Sequence, residues 1–159
     1  MKNLAMNLFT DARGECRRHL HYLRSALQGL RPLLPMTKER YQSLNEAAIK
    51  ELDQFIFRFT KLQDAMGMKL FPAVLGVLQE TDEGLSMLDR LNRLEQLNLL
   101  DGAAEWESIR ELRNRLTHEY PDDPEKNAVT INHGVTVAPR LEAILDKIDN
   151  ELRGKGILI

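Results

Sequence analysis

The sequence is poor in features that mark several common classes of protein. It has one cysteine, Cys16, among 159 residues, so no disulfide can form within the chain and a reducing cytoplasm is expected. No apolar run approaches the ~18 residues needed to cross a bilayer. The first nine residues also lack the long apolar stretch of a secretory signal. We therefore expect a cytoplasmic protein with no membrane partner.

Motifs of the common enzyme classes are also missing. A glycine-rich phosphate loop, H-E-x-x-H, C-x-x-C and G-x-S-x-G are all absent, which argues against P-loop, zinc and serine-hydrolase chemistry. His19 and His21 would point away from each other on a helix, so we predict no metal site and no cofactor. The net charge of −2 argues against a general nucleic-acid coat, although a local basic RNA site is compatible with it.

What the chain does have is an apolar repeat of helical period over nearly its whole length. Apolar residues recur three and four positions apart, as on one face of a helix. Cys16 falls on the apolar side of the first helix, where we expect a buried, unreactive thiol. Thr37 is the expected N-cap of the second helix and Gly67 its expected end. We predict helices over about 3–30, 37–66, 71–78, 88–98 and 106–120, with turns at 31–35 and 81–84.

The last segment carries two conflicting signals. Residues 129–137 include β-branched residues around a possible hairpin turn, whereas apolar residues keep helical spacing from 128 to 152. We predict one helix from about Asp123 to Arg153, with Pro124 at its first position and a kink or loosening at Gly134 and Pro139. The chain is therefore expected to form a single domain over residues 1–159. Its expected fold is an all-α antiparallel up-down bundle of four long helices plus one or two short helices.

A cluster of polar side chains lies where the fifth helix is expected to end. Arg113, His118 and Tyr120 form the pattern R-x4-H-x-Y, with Asn114 beside the arginine. Arginine binds phosphate oxygens through a fixed fork of donors, and histidine transfers protons near neutral pH. Trp106 and other apolar residues share a helix face with Arg113, so its charge must be paired or must line a cleft.

The geometry of an ideal helix leaves the meeting of these side chains open. Arg113 and His118 would point about 140° apart on such a helix. They meet only if the arginine stem curls round, if the helix end opens, or if a second copy of the chain completes the site. The alternative is purely structural, with Arg113 in a buried ion pair, His118 as a cap and Tyr120 at the edge of the core.

Residues Arg113 to Asp123 resemble the signature of HEPN domains, specifically of HEPN toxins encoded beside MNT nucleotidyltransferase antitoxins. The segment from Arg58 to Gly67 resembles the second helix of such proteins. The resemblance implies a metal-independent endoribonuclease that acts as a homodimer with a shared cleft. It further implies an MNT-type nucleotidyltransferase antitoxin as a partner.

The resemblance also assigns roles to individual residues. Arg113 would hold and polarise the scissile phosphate of the RNA substrate, and His118 would act as general base or acid while the 2′-hydroxyl attacks. Asn114 would orient the phosphate or the histidine. Tyr120 matches a tyrosine that the nucleotidyltransferase can modify with AMP, which would block the cleft and repel RNA.

Several arginines are weaker candidates for RNA contacts. Basic residues recur along one side of the first helix, and this stripe could either follow an RNA backbone or form a solvated helix face. The predicted RNA-binding residues are Arg17, Arg24, Arg110 and Arg115. For Arg58, which lies beside the apolar ridge of the second helix, we predict an acidic partner: Asp53, Glu111 or Glu119.

Two other functions remain as alternatives. The chain could be a non-catalytic subunit that binds a nucleotide or substrate for a nucleotidyltransferase, with Arg113 and His118 holding a phosphate. It could also be a structural interaction bundle in which these side chains form a capping network.

Overall fold

The computed structural model describes residues 2–80 and 83–157, and all regular structure among these residues is helical. A single 3₁₀ turn, Arg31–Leu33, follows the first helix, and a π-helical turn, Met66–Leu70, joins two others. None of the described helices is both long enough and apolar enough to span a membrane. The α-helices are α1 (Lys2–Leu30), α2 (Lys38–Gln42), α3 (Glu46–Ala65), α4 (Phe71–Val77), α5 (Met87–Gln96), α6 (Ala103–Leu116) and α7 (Pro124–Gly154).

The four longest helices run alternately up and down. Contacts between α1 and α3 pair the middle of α1 with the middle of α3, and an earlier turn of α1 with Lys69 beyond the end of α3, so these helices are antiparallel. The ion pairs between α1 and α7 show that these two helices are also antiparallel, because Arg13 binds Asp149 whereas Arg24, further along α1, binds Glu142, which lies earlier in α7. Helix α6 is antiparallel to α7 in turn. The predicted antiparallel helical bundle is confirmed.

Large aromatic side chains fill the centre of the bundle. Phe9, Phe55, Phe59 and Phe71 are fully buried, and the ring of Trp106 packs edge-on against Phe71 with 4.6 Å between centroids. The Cys16 side chain is also buried, as predicted, and burial raises the pKa of its thiol to about 12. The thiol is therefore protonated and unreactive at neutral pH.

The second predicted helix is wrong in one respect, because it is interrupted near its start. Thr37 does act as an N-cap, but only for the five-residue helix α2. The chain then leaves helical geometry, and the side chain of Asn45 starts α3 by accepting a hydrogen bond of 2.8 Å from the backbone N–H of Ala48. Asparagine is a preferred N-cap, and its amide oxygen satisfies one of the free donors at the helix start.

Gly67 does not end α3, contrary to the sequence prediction. The helical path continues through the π turn directly into α4. Pro72 explains the widened turn, because proline lacks a backbone N–H and its ring clashes with a carbonyl one turn earlier. Gly67 itself is buried, and a Cβ at this position would lie 3.3 Å from the Trp106 ring. The glycine therefore admits the tryptophan instead of terminating a helix.

Helix α6 ends at Leu116, four residues earlier than predicted. The hydroxyl of Thr117 donates a hydrogen bond of 2.8 Å to the carbonyl of Asn114 and so replaces the partner that the next helical turn would supply. His118 and Tyr120 consequently lie in the connection between α6 and α7. Arg113 remains in the last turn of α6.

The long C-terminal helix is confirmed, and the strand alternative for residues 129–137 is wrong. Asp123 caps α7 by accepting from the backbone N–H of Lys126 at 3.0 Å, with Pro124 in the first turn. The helix continues through Gly134 and Pro139 to Gly154. In the predicted turn at 81–84, residues 81 and 82 lie outside the described residues, and Gly84 adopts a positive φ of 76° in a turn.

Gly134 lies where α7 packs tightly against two other helices. A Cβ at this position would lie 3.2 and 3.3 Å from the two methyl groups of Leu116 and 3.3 Å from the ring of Phe55. Both contacting side chains are buried, and they belong to two different helices. Neither can move aside without disturbing other core contacts.

We expect Gly134→Ala to destabilise the protein by about 1 kcal/mol, because overpacking outweighs the entropic benefit of alanine in a helix. Gly14→Ala is the matched control, because a Cβ there meets no atom of another described residue within 4 Å outside its own helical turn. That control should stabilise by roughly 0.5–1 kcal/mol. Urea denaturation measures both effects, and equal stabilisation by the two substitutions would contradict the close packing.

Candidate functional site

Arg113 projects from the last turn of α6 and is paired with Asp64 near the end of α3. Its Nε and Nη2 atoms donate to the two carboxylate oxygens at 3.0 and 2.8 Å. The Arg113 and Asp64 side chains are 27% and 36% exposed, so the pair is reachable from solvent. The hydrogen bond from Arg113 to Asp64 raises the pKa of the guanidinium, which therefore stays charged.

The pair lies beside a cavity of about 290 Å³ that the π turn helps to form. Gly67 and Met68 supply one wall, and Trp106 closes the base of the cavity. Arg113 is thus both paired and at a cleft. Either arrangement alone would satisfy the requirement set by its position on the apolar face of the helix. π turns are frequent at functional sites, and no signal other than Pro72 marks this one in the sequence.

His118 lines a different cavity, on the other side of the α6 terminus. Its backbone N–H donates to the carbonyl of Arg115 at 3.2 Å, whereas its exposed imidazole has no hydrogen-bond partner among the described residues. We call this space of about 370 Å³ the His118 cavity. It is lined by Tyr41, Leu44, Ile49, Leu52, Asp53, Ile56, Leu116, His118, Glu119, Asn127, Thr130 and Ile131.

A hydrogen-bond network forms one wall of the His118 cavity. The hydroxyl of Tyr41 donates to Glu119 Oε1 at 2.9 Å and accepts from the amide of Asn127 at 3.4 Å. Burial raises the pKa of the Tyr41 hydroxyl, and the carboxylates of Glu119 and Asp53 raise it further. Tyr41 is therefore a protonated donor at neutral pH, and it fixes one oxygen of Glu119.

Asn127, which the sequence analysis missed, holds the connection that carries His118. Its Oδ1 accepts from the backbone N–H of Tyr120 at 3.1 Å, and its Nδ2 donates to the carbonyl of the same residue at 2.9 Å. One turn and a half further along α7, Asn132 binds the backbone of Met36 in the same way. A buried asparagine beside an apolar stripe requires such partners, and this was the available signal.

Tyr120 is partly buried at the start of α7. The ammonium of Lys126 lies 4.0 Å from the centre of its ring, a cation–π geometry. Asn114 accepts a hydrogen bond of 3.3 Å from Nη1 of Arg113, so it is placed to orient the arginine. Within one chain, Arg113 with Asn114 and His118 with Tyr41 therefore belong to two separate cavities.

Two of the four arginines predicted to contact RNA are engaged by acids of α7. Arg17 binds Asp146 at 3.0 Å and Asp149 at 2.6 Å, and Arg24 binds Glu142. These pairs neutralise much of the basic stripe on α1. The two remaining arginines lie nearer the α6 terminus: Arg110 lines the cavity beside Arg113, and Arg115 Nη2 lies 3.4 Å from Nδ1 of His133.

Arg58 pairs with no acid among the residues that the structure describes, so the predicted partners Asp53, Glu111 and Glu119 were wrong. Its Nη1 donates to Nδ1 of His19 at 2.8 Å, and its guanidinium lies 4.4 Å from the ring centre of Tyr22. The side chain points into the seam between α3 and α1, where the imidazole is the acceptor within reach. His19 Nδ1 must carry a lone pair to accept this bond, so the ring is neutral.

Comparison with known proteins adds no relative to this description. No protein-family model, no curated protein and no solved structure matches the chain. Within the part of the chain that the structure describes, no three His, Cys, Asp or Glu side chains converge as a metal-binding group.

We expect His19 to make stability pH-dependent. Burial lowers its pKa, and the positive charges of Arg58 and Arg18 add to this effect against the opposing carboxylate of Glu15. At a pH between the two pKa values of His19, the unfolded chain therefore binds a proton that the folded protein does not bind. Stability should be full above the unfolded pKa of about 6.5 and should fall below it, by at most about 1.4 kcal/mol per pH unit.

Urea denaturation at pH 7.5 and at pH 5.5 tests this prediction, with the urea concentration at the midpoint of unfolding as the measured quantity. His19→Gln, which keeps a hydrogen-bond acceptor, should remove most of the difference between the two midpoints. His21→Gln, at an exposed position on the same helix, should keep it. An unchanged difference in the His19 variant would show that another group titrates.

The pair of Arg113 and Asp64 should contribute little to stability. Because both side chains are partly exposed, we expect a double-mutant cycle with Arg113→Ala and Asp64→Ala to give a coupling energy of about 0.5–1 kcal/mol. A second cycle, with Arg110→Ala in place of Arg113→Ala, should give a coupling energy near zero, because Arg110 lines the same cavity but does not bind Asp64. A coupling of several kcal/mol in the first cycle would indicate a purely structural, desolvated pair.

Proposed function

We propose that this protein is a metal-independent endoribonuclease, the toxin of a toxin–antitoxin pair that acts in the cytoplasm. The observation that carries the proposal is the completeness and accessibility of the R-x4-H-x-Y segment. Arg113 faces a solvent-reachable cavity with a charged guanidinium, and the imidazole of His118 is exposed and free of hydrogen bonds to the described residues. These are the two groups that phosphodiester cleavage by an internal nucleophile needs.

In the proposed reaction, His118 removes the proton of the RNA 2′-hydroxyl, and the 2′-oxygen attacks the adjacent phosphorus. The bond from phosphorus to the 5′-oxygen breaks, and that oxygen takes up a proton. The products are a 2′,3′-cyclic phosphate and a 5′-hydroxyl end. Arg113 uses two donors on Asp64 and one on Asn114, so two of its five N–H groups are left to stabilise charge on the phosphate oxygens.

A second copy of the chain is part of this proposal. In one chain, Arg113 and His118 line different cavities, so a cleft that contains both groups is completed most directly by a symmetric homodimer. The proposed antitoxin is an MNT-type nucleotidyltransferase that modifies Tyr120 with AMP. The phosphate of the attached AMP would block the cleft and repel the RNA backbone.

A second candidate function is a binding subunit without catalysis. The location of Arg113 and His118 in different cavities of one chain favours it, because binding without catalysis does not require both groups to act on one phosphodiester. In this case the chain would present a nucleotide or substrate to a nucleotidyltransferase, and its two cavities would not need to merge.

We expect His118→Ala to abolish cleavage of single-stranded RNA by the purified protein in the presence of a metal chelator. The variant removes the proton-transfer group without touching the core, so its helical circular dichroism should be unchanged. His133→Ala is the matched control, because it removes an exposed imidazole from the neighbouring cavity and should leave cleavage intact.

The two candidate functions predict different results in this experiment. Cleavage that requires both Arg113 and His118, together with growth arrest on induced expression, supports the nuclease. If the wild-type protein neither cleaves RNA nor arrests growth but still binds a nucleotide, the binding subunit is supported. Cleavage that persists in His118→Ala would refute the assigned role.

A further inference from the structure

The His118 cavity has a chemistry of its own that the cleavage step does not use. We propose that it binds a nucleobase with an exocyclic amino group (adenine, guanine or cytosine) from the nucleotide beside the scissile phosphate. The inference rests on the proposed function for its place in RNA cleavage, whereas binding of the base can be measured without any cleavage.

The size and the apolar walls of the cavity suit a single flat ring. Its volume of about 370 Å³ lies near the lower end of the 300–1,000 Å³ usual for small-ligand sites. Ile49 and Ile56 of α3 line it together with Leu116 of α6 and Ile131 of α7. Aliphatic side chains from three helices would pack against the faces of a ring.

Hydrogen-bond acceptors dominate the polar part of the lining. Asp53 has no hydrogen-bond partner among the residues that the structure describes, so both of its oxygens can accept. Glu119 uses one oxygen on Tyr41 and can accept with the other. An amino group supplies two donors, and such a donor beside a carboxylate forms a charge-assisted hydrogen bond.

The same two carboxylates determine which part of a nucleotide enters. A phosphate group inside the cavity would be repelled by Asp53 and Glu119, whereas a neutral base would not. His118 also lines the cavity and is exposed. A base inside therefore leaves its sugar and phosphate outside, next to the imidazole that the proposed reaction uses.

Binding of free nucleosides tests this assignment with no RNA cleavage involved. We would titrate the full-length protein with adenosine and with purine riboside, which differs only by lacking the amino group, and follow amide shifts and affinity by NMR. Cytidine and uridine form a second pair, in which a carbonyl group replaces the amino group and N3 gains a hydrogen. Adenosine and cytidine should bind about tenfold more tightly than their counterparts, with shifts at residues that line the His118 cavity.

Two variants connect the preference to particular residues. Asp53→Asn keeps the shape of the side chain but removes its charge, and adenosine should lose most of its advantage over purine riboside. Asp122→Asn is the control, because it removes an exposed carboxylate that does not line the cavity. It should leave the preference unchanged. Since Asp53 is exposed, we expect both variants to fold, which a thermal melt verifies.

The outcomes separate this inference from the proposed function. Amino-selective binding in a protein that cleaves no RNA would support the base site and refute the nuclease. Cleavage with no nucleoside binding, or with equal binding of adenosine and purine riboside, would overturn the base site alone. A dimer that seals the cavity would also abolish binding, and it would overturn the inference in the same way.

Discussion

The packed end of α6 is the constraint on which the polar chemistry of this protein depends. Leu116, the last residue of the helix, is buried against Gly134 of α7. Asn127 then holds the backbone of Tyr120 through both of its polar groups. His118 lies between these two fixed points, so its short connection has little freedom even though its imidazole is exposed. An exposed group on a restrained backbone loses less entropy when a ligand orders it.

Charge pairing determines which parts of the surface remain available to an anion. On α1, Arg13, Arg17 and Arg24 form ion pairs with acids of α7, so these three arginines stabilise a helix interface and are less available to a nucleic acid. The cations near the α6 terminus are less neutralised, since Arg110 and Arg115 have no carboxylate partner among the described residues. Arg110 and Arg115 are therefore the cations at that end that remain for the proposed contact with RNA.

The sequence predicted the bundle well because apolar periodicity over long helices is a strong signal. Helices α1 and α7 were located almost to the residue, and the cap at Asp123 was correct. The errors fell where local chemistry overrides periodicity. Asn45 starts a new helix near the beginning of the apolar ridge, Pro72 widens the helical turn at Gly67, where a helix end was expected, and Thr117 ends α6 early.

The candidate site was predictable in composition but not in geometry. The requirement that Arg113 be paired or line a cleft followed from its helix face, whereas the identity of Asp64 depended on how α3 packs beside α6. Asp64 has two opposing effects on a phosphate ligand. It orients the guanidinium, which favours binding, and its own charge repels the phosphate. In water the repulsion is screened, but it would grow in the closed cleft of the proposed homodimer. Binding of a phosphate there would therefore require a further positive charge near Asp64, and Arg110, which lines the same cavity and has no carboxylate partner among the described residues, is placed to supply it.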